Sequence, residues 1–141
     1  HFIKPHKIPS SVKIIGNSTF AQCISIKEIT IPSSVEKIGD FVFSGCSSLT
    51  KVTIECSITS QKWNEFCSNI SKIMPFPHIS LSIGEYVFYG CSSLKEIEIP
   101  CSVTIIGSNA FRDCTSLEKI VIPNSVTEIG ENIFRGCNSL I

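Results

Sequence analysis

The run Ile-Pro-x-Ser-Val constrains this chain more than any other feature, because it returns at a fixed interval. It stands at Ile8-Pro9-Ser10-Ser11-Val12, Ile31-Pro32-Ser33-Ser34-Val35, Ile99-Pro100-Cys101-Ser102-Val103 and Ile122-Pro123-Asn124-Ser125-Val126. The first two copies are 23 residues apart, as are the last two, and a weaker copy at Phe76-Pro77 begins 23 residues before Ile99. Such self-similarity marks a repeat array, whose units cannot bury their apolar faces alone and must stack on one another. The period divides the chain into about six coils, 8–30, 31–53, 54–75, 76–98, 99–121 and a truncated 122–141, with 54–75 divergent. All of them belong to one solenoid domain spanning 1–141.

The same parts recur inside each coil. Gly16, Gly39, Gly84, Gly107 and Gly130 each follow an isoleucine, and Phe20, Phe43, Phe88, Phe111 and Phe134 lie four residues further on. Phe66 continues that column in the divergent coil, so the rings are expected to stack as one ladder. Next come Cys23, Cys46, Cys91, Cys114 and Cys137, then the spacing Leu49-x-x-Val52-x-Ile54, Leu94-x-x-Ile97-x-Ile99 or Leu117-x-x-Ile120-x-Ile122. Residues two apart in a strand share a face, so Val52 and Ile54 point inward while Lys51 and Thr53 point outward. Stacked at roughly 4.8 Å, six such strands make a parallel sheet about 29 Å wide. The glycine serves a corner, through positive φ or close backbone approach. Segments such as Asn109-Ala110-Phe111-Arg112-Asp113 have room for no more than a short helical or 3-10 turn. In the divergent coil, Trp63, Phe66, Cys67, Ile70 and Met74 are spaced by three or four, which predicts a longer amphipathic helix ended by Pro75.

The composite motif Ile-Pro-x-Ser-Val-x-x-Ile-Gly-x-x-x-Phe-x-x-Cys-x-Ser-Leu-x-x-Ile-x-Ile resembles the BspA-like leucine-rich repeats of mucosal bacteria and parasitic protozoa. The resemblance runs from Ile8 to Ile141, five coils well and one poorly. It implies an α/β leucine-rich-repeat solenoid, a right-handed curved stack, and for some members adhesion to host proteins or cells. Fold carries over from such a resemblance further than role does.

Composition excludes several functions. With 43% hydrophobic and 17% charged residues the chain can bury a core, and its 12 basic and 12 acidic residues form no run that would attract nucleic acid or an anionic membrane. No stretch approaches the roughly 20 apolar residues of a membrane span, and His1-Phe2-Ile3-Lys4-Pro5 lacks a signal-peptide core, so the chain reads as an excerpt or a processed product. With no polar cap at either end, the fragment is expected to self-associate or fray there.

Eight cysteines could suggest a disulfide framework, but five of them share one coil position. Buried thiols acting as small hydrophobes explain that column, and disulfides between adjacent coils are the alternative, although five members cannot all pair. Cys56, Cys67, Cys101 and His78 offer no metal-ligand spacing, so no metal or cofactor is expected. His1, His6 and His78 with Asp40 and Asp113 form no triad, and no glycine-rich phosphate cradle exists, so no catalytic residues are assigned. The Pro-Ser-Ser and Cys-Ser-Ser runs read as turn chemistry. Asn17-Ser18-Thr19 and Asn69-Ile70-Ser71 match the N-glycosylation pattern.

What remains is a surface. The outward strand positions are Glu28 and Thr30, Lys51 and Thr53, Glu96 and Glu98, Lys119 and Val121. Lys51, Glu96, Glu98 and Lys119 are the candidate partner-binding residues of a non-enzymatic protein-binding or adhesion module, with a protein or cell-surface ligand and an extracellular or cell-surface location. The alternative is a cytoplasmic scaffold of the same fold, for which reduced cysteines are natural.

Overall fold

Alternation of polar and apolar residues builds the first sheet. Glu28–Ile31, strand β3, buries Ile29 and Ile31 and exposes Glu28 and Thr30, and Lys51–Ile54, strand β5, repeats that pattern. With β1 (His6–Lys7), β7 (Glu96–Glu98) and β9 (Lys119–Val121) these strands run parallel, pairing as β1-β3-β5 and β7-β9. The computed structural model describes residues 6–56 and 80–141.

A second parallel sheet follows each proline turn, and sequence reasoning did not foresee it. It orders β10 (Glu128–Ile129), β8 (Val103–Ile106), β6 (Leu81–Ile83), β4 (Lys37–Ile38) and β2 (Ile14–Ile15) without interruption. Its residues are the Val-x-x-Ile part of the motif, which is too short to show alternation unaided. Ile15, Ile38, Ile83 and Ile106 point into the core. Register is unbroken except beside Leu81 and Ser82, where β8 carries an irregularity.

The third side is a ladder of turns, and no helix occurs among the described residues. Alternate amides have different destinations. Thr19, Ala21 and Cys23 close local turns onto Gly16, Ser18 and Phe20, while Ser18, Phe20 and Gln22 donate to Asp40, Val42 and Ser44 of the next coil at 2.7–2.9 Å. Phe41, Phe43 and Gly45 repeat this onto Glu85, Val87 and Tyr89. A continuous helix would turn every amide back on its own coil. Here every second one stacks the coils instead, and the left-handed residues Ser18, Gln22, Phe41 and Gly45 are among these donors.

Inside lies the phenylalanine ladder. Phe20–Phe43, Phe43–Phe88, Phe88–Phe111 and Phe111–Phe134 stack at centroid separations of 5.5, 5.6, 5.2 and 6.1 Å. Direct stacking of Phe43 on Phe88 corrects the expected column, since no sixth ring lies between them. Phe66, the divergent coil 54–75 beyond Cys56, and the helix expected at Trp63, Cys67, Ile70 and Met74 lie outside the described residues. Coil 80–101 follows coil 31–56 directly in the stack, through Phe43 N to Val87 O and through the pairing of β4 with β6.

The glycine column does not carry positive φ. Those values occur at Ser18, Phe41, Tyr86, Asn109 and Asn132, and four residues later at Gln22, Gly45, Gly90, Asp113 and Gly136. Gly39, Gly84, Gly107 and Gly130 instead let backbones touch: a Cβ on Gly107 would lie 2.5 Å from the carbonyl carbon of Gly84 and 2.6 Å from the nitrogen of Glu85. Of the two roles expected for these corners, close approach is the one observed.

Candidate functional site

Three columns on this scaffold bear chemistry. Stacking places one residue of each coil in each column, so side chains distant in sequence become neighbours.

The first is the outward row of the β1, β3, β5, β7, β9 layer. Glu28 is in register with Lys51, and Glu96 with Lys119, and all four are exposed. The row therefore reads Glu28, Lys51, Glu96, Lys119, alternating in sign along the stack. Glu98 is exposed in the same strand as Glu96 and faces Val121, which is 66% exposed. Among the described residues the only ion pair is Arg112–Asp113, at 3.9 Å, so these charges stay hydrated and available. The ladder of strand pairing is interrupted between β5 and β7, which still lie side by side.

The second column is the thiols. Cys23, Cys46, Cys56, Cys91, Cys114 and Cys137 carry free thiols. Cys46 donates through Sγ to the carbonyl of Phe20 at 3.2 Å, Cys91 to Phe43 at 3.2 Å, Cys114 to Phe88 at 3.1 Å and Cys137 to Phe111 at 3.0 Å. Each S–H thus satisfies a carbonyl of the coil below, a role that a merely small hydrophobe would not perform. Burial pushes the Cys46 thiol up to about 11 and that of Cys114 up to about 12, and raises Cys91 and Cys137 as well. Neighbouring thiols of the column add to the rise at Cys46, Cys91 and Cys114. Protonated, buried and already bonded, Cys46, Cys91 and Cys114 are poor nucleophiles and poor metal ligands, whereas Cys137 is only half-buried. Among the described residues no group of three or more His, Cys, Asp or Glu could hold a metal ion. Cys67 and His78 lie outside those residues.

The third column was missed in the sequence. Phe41 and Tyr86 occupy corresponding turn positions and stack at 4.8 Å with ring planes 3° apart, although both backbones are left-handed, with φ of 60° and 58°. Tyr89 meets Tyr86 edge-on at 5.4 Å, and the Arg112 guanidinium lies 6.0 Å from the Tyr89 ring. Phe41 is 40% exposed. A left-handed conformation costs a side-chain-bearing residue about 1–2 kcal/mol, and asparagine, found at Asn109 and Asn132 of this column, tolerates it best. A stacked pair returns about 0.5–1.5 kcal/mol, less than two such costs together. Stability alone does not favour rings here. The signal in the sequence was an aromatic two residues after Gly39 and after Gly84, against Ser18, Asn109 and Asn132 in the other coils.

Short parallel strands carrying Leu-x-x-Ile-x-Ile, stacked at one coil per repeat around a ring ladder, define a leucine-rich-repeat solenoid, a class that serves as an interaction scaffold. The chain belongs to the BspA type leucine rich repeat family, whose model matches as six copies over residues 2–80 and 65–141. Among solved structures it is similar to a leucine rich repeat protein of T. pallidum, with TM-score 0.72 and 29% identity over 95% of this chain and 55% of that one. It is also similar to a leucine rich cell surface protein of Faecalibacterium prausnitzii, with TM-score 0.76 and 34% identity over 97% of this chain and 30% of that one. The pneumococcal vaccine antigen PcpA shares the fold at 22% identity and TM-score 0.68, with 96% of this chain and 28% of that one covered. The chain thus spans about half the length of the first relative and under a third of the other two. No curated protein matches it.

Proposed function

We propose that this solenoid is a non-enzymatic protein-binding and adhesion module of a surface or secreted protein, and that its partner seats on the outward row of Lys51, Glu96, Glu98 and Lys119. One observation carries the reading: a rigid row of exposed, unpaired charges that alternate in sign from coil to coil. A polyanion would be repelled at every second position, whereas a protein surface can present charges of both signs in matching register. Membership of the BspA type family and likeness to a bacterial cell surface protein support a surface location. Among the described residues no helix is long and apolar enough to cross a membrane.

A second reading, an intracellular scaffold, is favoured by the free thiols. Yet Cys46, Cys91 and Cys114 are fully buried and bonded to carbonyls, so they would persist reduced outside the cell too.

The test is adhesion of beads coated with the chain to epithelial cells, with and without prior protease treatment of the cell surface. Protease should abolish adhesion. Reversing both charges, Lys51→Glu with Lys119→Glu, should weaken it about tenfold while the circular dichroism spectrum stays unchanged, a loss worth about 1.4 kcal/mol. Undiminished adhesion of the double variant would remove this face as the site.

A further inference from the structure

The exposed aromatic stack ends abruptly at one side. In its column the residue stacked on Phe41 from the following coil is Tyr86, but the preceding coil offers only Ser18. Ser18 N donates to Asp40 O at 2.8 Å, which fixes the two turns side by side. One face of the Phe41 ring is covered by Tyr86, and the other stands over a position too small to cover it.

The turn of the preceding coil brings Asn17, Ser18 and Gln22 alongside the turn of Phe41, in which Asp40 directly precedes the ring. Asn17 accepts the Asp40 amide through Oδ1 at 2.8 Å, which assigns its amide orientation and leaves both Nδ2 protons without a partner among the described residues. Gln22, four residues on, rests its carboxamide against Gly45, where a Cβ would lie 2.6 Å from Cδ, and is itself exposed. Ser18 adds a hydroxyl. An aromatic face in a neighbourhood that offers two carboxamides, a hydroxyl and one carboxylate, without a lysine or arginine in these turns, suits a flat ligand with one C–H face and many neutral hydroxyls. C–H groups carry partial positive charge and meet the negative face of an aromatic ring favourably.

We propose that Phe41, with Ser18, Asn17 and Gln22 alongside it, is a binding platform for a neutral pyranose of a cell-surface glycan, whose C–H face continues the Phe41–Tyr86 stack. The platform stands apart from the outward strand row and does not depend on it. Phe41 and Tyr86 hold two stacked rings on left-handed backbone, with Phe41 exposed, at a position where the other coils place serine or asparagine. An aromatic side chain of a protein partner could also stack there, but it would leave the carboxamides and the hydroxyl unmatched.

Saturation-transfer difference NMR on the whole 141-residue chain, with methyl β-D-galactopyranoside and methyl β-D-glucopyranoside as probes, tests this. A ligand this small on one platform should bind with a dissociation constant on the order of 1 mM. Saturation should concentrate on the protons of one sugar face, and more strongly for the galactoside, whose axial hydroxyl gathers its C–H groups on one side. Phe41→Asn, which places the residue of the neighbouring coils at this position, should abolish the effect. So should Ser18→Tyr, which fills the open face with the protein's own ring. Circular dichroism confirms that both variants fold. Lys51→Glu with Lys119→Glu should leave the effect intact, which separates this site from the strand row. Absence of saturation by both glycosides, persistence of it in Phe41→Asn, or Phe41-dependent binding of a tyrosine-bearing peptide in place of the sugars would each overturn the proposal.

Discussion

Replacing Phe111 with alanine removes an inner ring of the ladder without touching the ladder of backbone bonds. Phe111 is fully buried, between Phe88 at 5.2 Å and Phe134 at 6.1 Å. Its amide still reaches Ile133 O, and its carbonyl still accepts from Cys137. Buried phenylalanine to alanine costs about 3–5 kcal/mol, and the simultaneous loss of two stacked pairs places this substitution in the upper half, about 4–5 kcal/mol. Phe134 is half-buried and stacks on one described ring, so Phe134→Ala should cost no more than about 2 kcal/mol. Urea unfolding followed by circular dichroism measures both, through the midpoint and the slope m. A reduced m in Phe111→Ala would show the array uncoupling at that coil, as nearest-neighbour stacking allows. A loss below about 1 kcal/mol, or equal losses at the two sites, would refute the ladder as the main source of cohesion.

A thiol reagent added to the native chain should label Cys23, Cys56 and Cys137 well before Cys46, Cys91 and Cys114, and labelling of all of them at one rate would contradict the buried column. The same thiols set a pH dependence. Cys46 and Cys114 titrate at about 11 and about 12 when folded, against 9.0 for an unperturbed thiol, so above 9 the unfolded chain binds fewer protons than the native one. Their stabilisation is therefore complete below 9 and is lost as pH rises through 11 and 12, by at most about 1.4 kcal/mol per pH unit per thiol. Urea midpoints should fall between about pH 8 and pH 10.5, and less steeply in Cys46→Ala with Cys114→Ala; an equal fall in that variant would assign the effect elsewhere. Gly107→Ala forces a Cβ to within 2.5 Å of backbone and should cost about 1–3 kcal/mol or more, whereas Gly16→Ala, whose nearest neighbour would be 3.7 Å away, should stay within about 0.5 kcal/mol. Equal melting temperatures for the two would remove close approach as the reason for these glycines.

The strand carrying Lys51 and Thr53 was legible because its apolar residues alternate, and alternation maps directly onto two faces. The column of Phe20, Phe43, Phe88, Phe111 and Phe134 was legible because stacking turns sequence period into spatial contact. The second sheet was hidden: Lys37–Ile38 and Glu128–Ile129 are two residues long, and two residues carry no periodicity. The turn ladder was hidden for a different reason. Whether Asn109-Ala110-Phe111-Arg112-Asp113 closes a helical turn or shares its amides with the next coil depends on a partner 22 residues away, Asn109 N to Glu131 O, and local propensity has no term for that. The expected column placed a ring between Phe43 and Phe88, which in fact stack directly, and spacing alone does not tell which coils are neighbours in the stack.

The candidate surfaces divide along the same line. Exposure of Lys51, Glu96, Glu98 and Lys119 followed from strand alternation, so their geometry was readable before any partner is known. The Phe41 platform required the φ values, because left-handed backbone recurs at two positions four apart in each turn, as at Phe41 and Gly45, and sequence spacing does not reveal it. In a solenoid, a residue that suits its column in every coil is explained by stacking. One that departs from its column in two adjacent coils, is strained there and still faces solvent is not explained that way. Phe41 and Tyr86 meet these conditions, whereas Glu28 and Lys51 face solvent without backbone strain, and opposite charges in register are themselves a stacking solution. The aromatic column therefore discriminates function from fold more sharply than the charged row does, and Phe41→Asn separates the two. Relief of the left-handed strain should hold stability level or raise it by up to about 1 kcal/mol, while ligand binding is lost. If the variant were instead destabilised by more than about 1 kcal/mol, the rings would be part of the scaffold and the departure from the column would be structural.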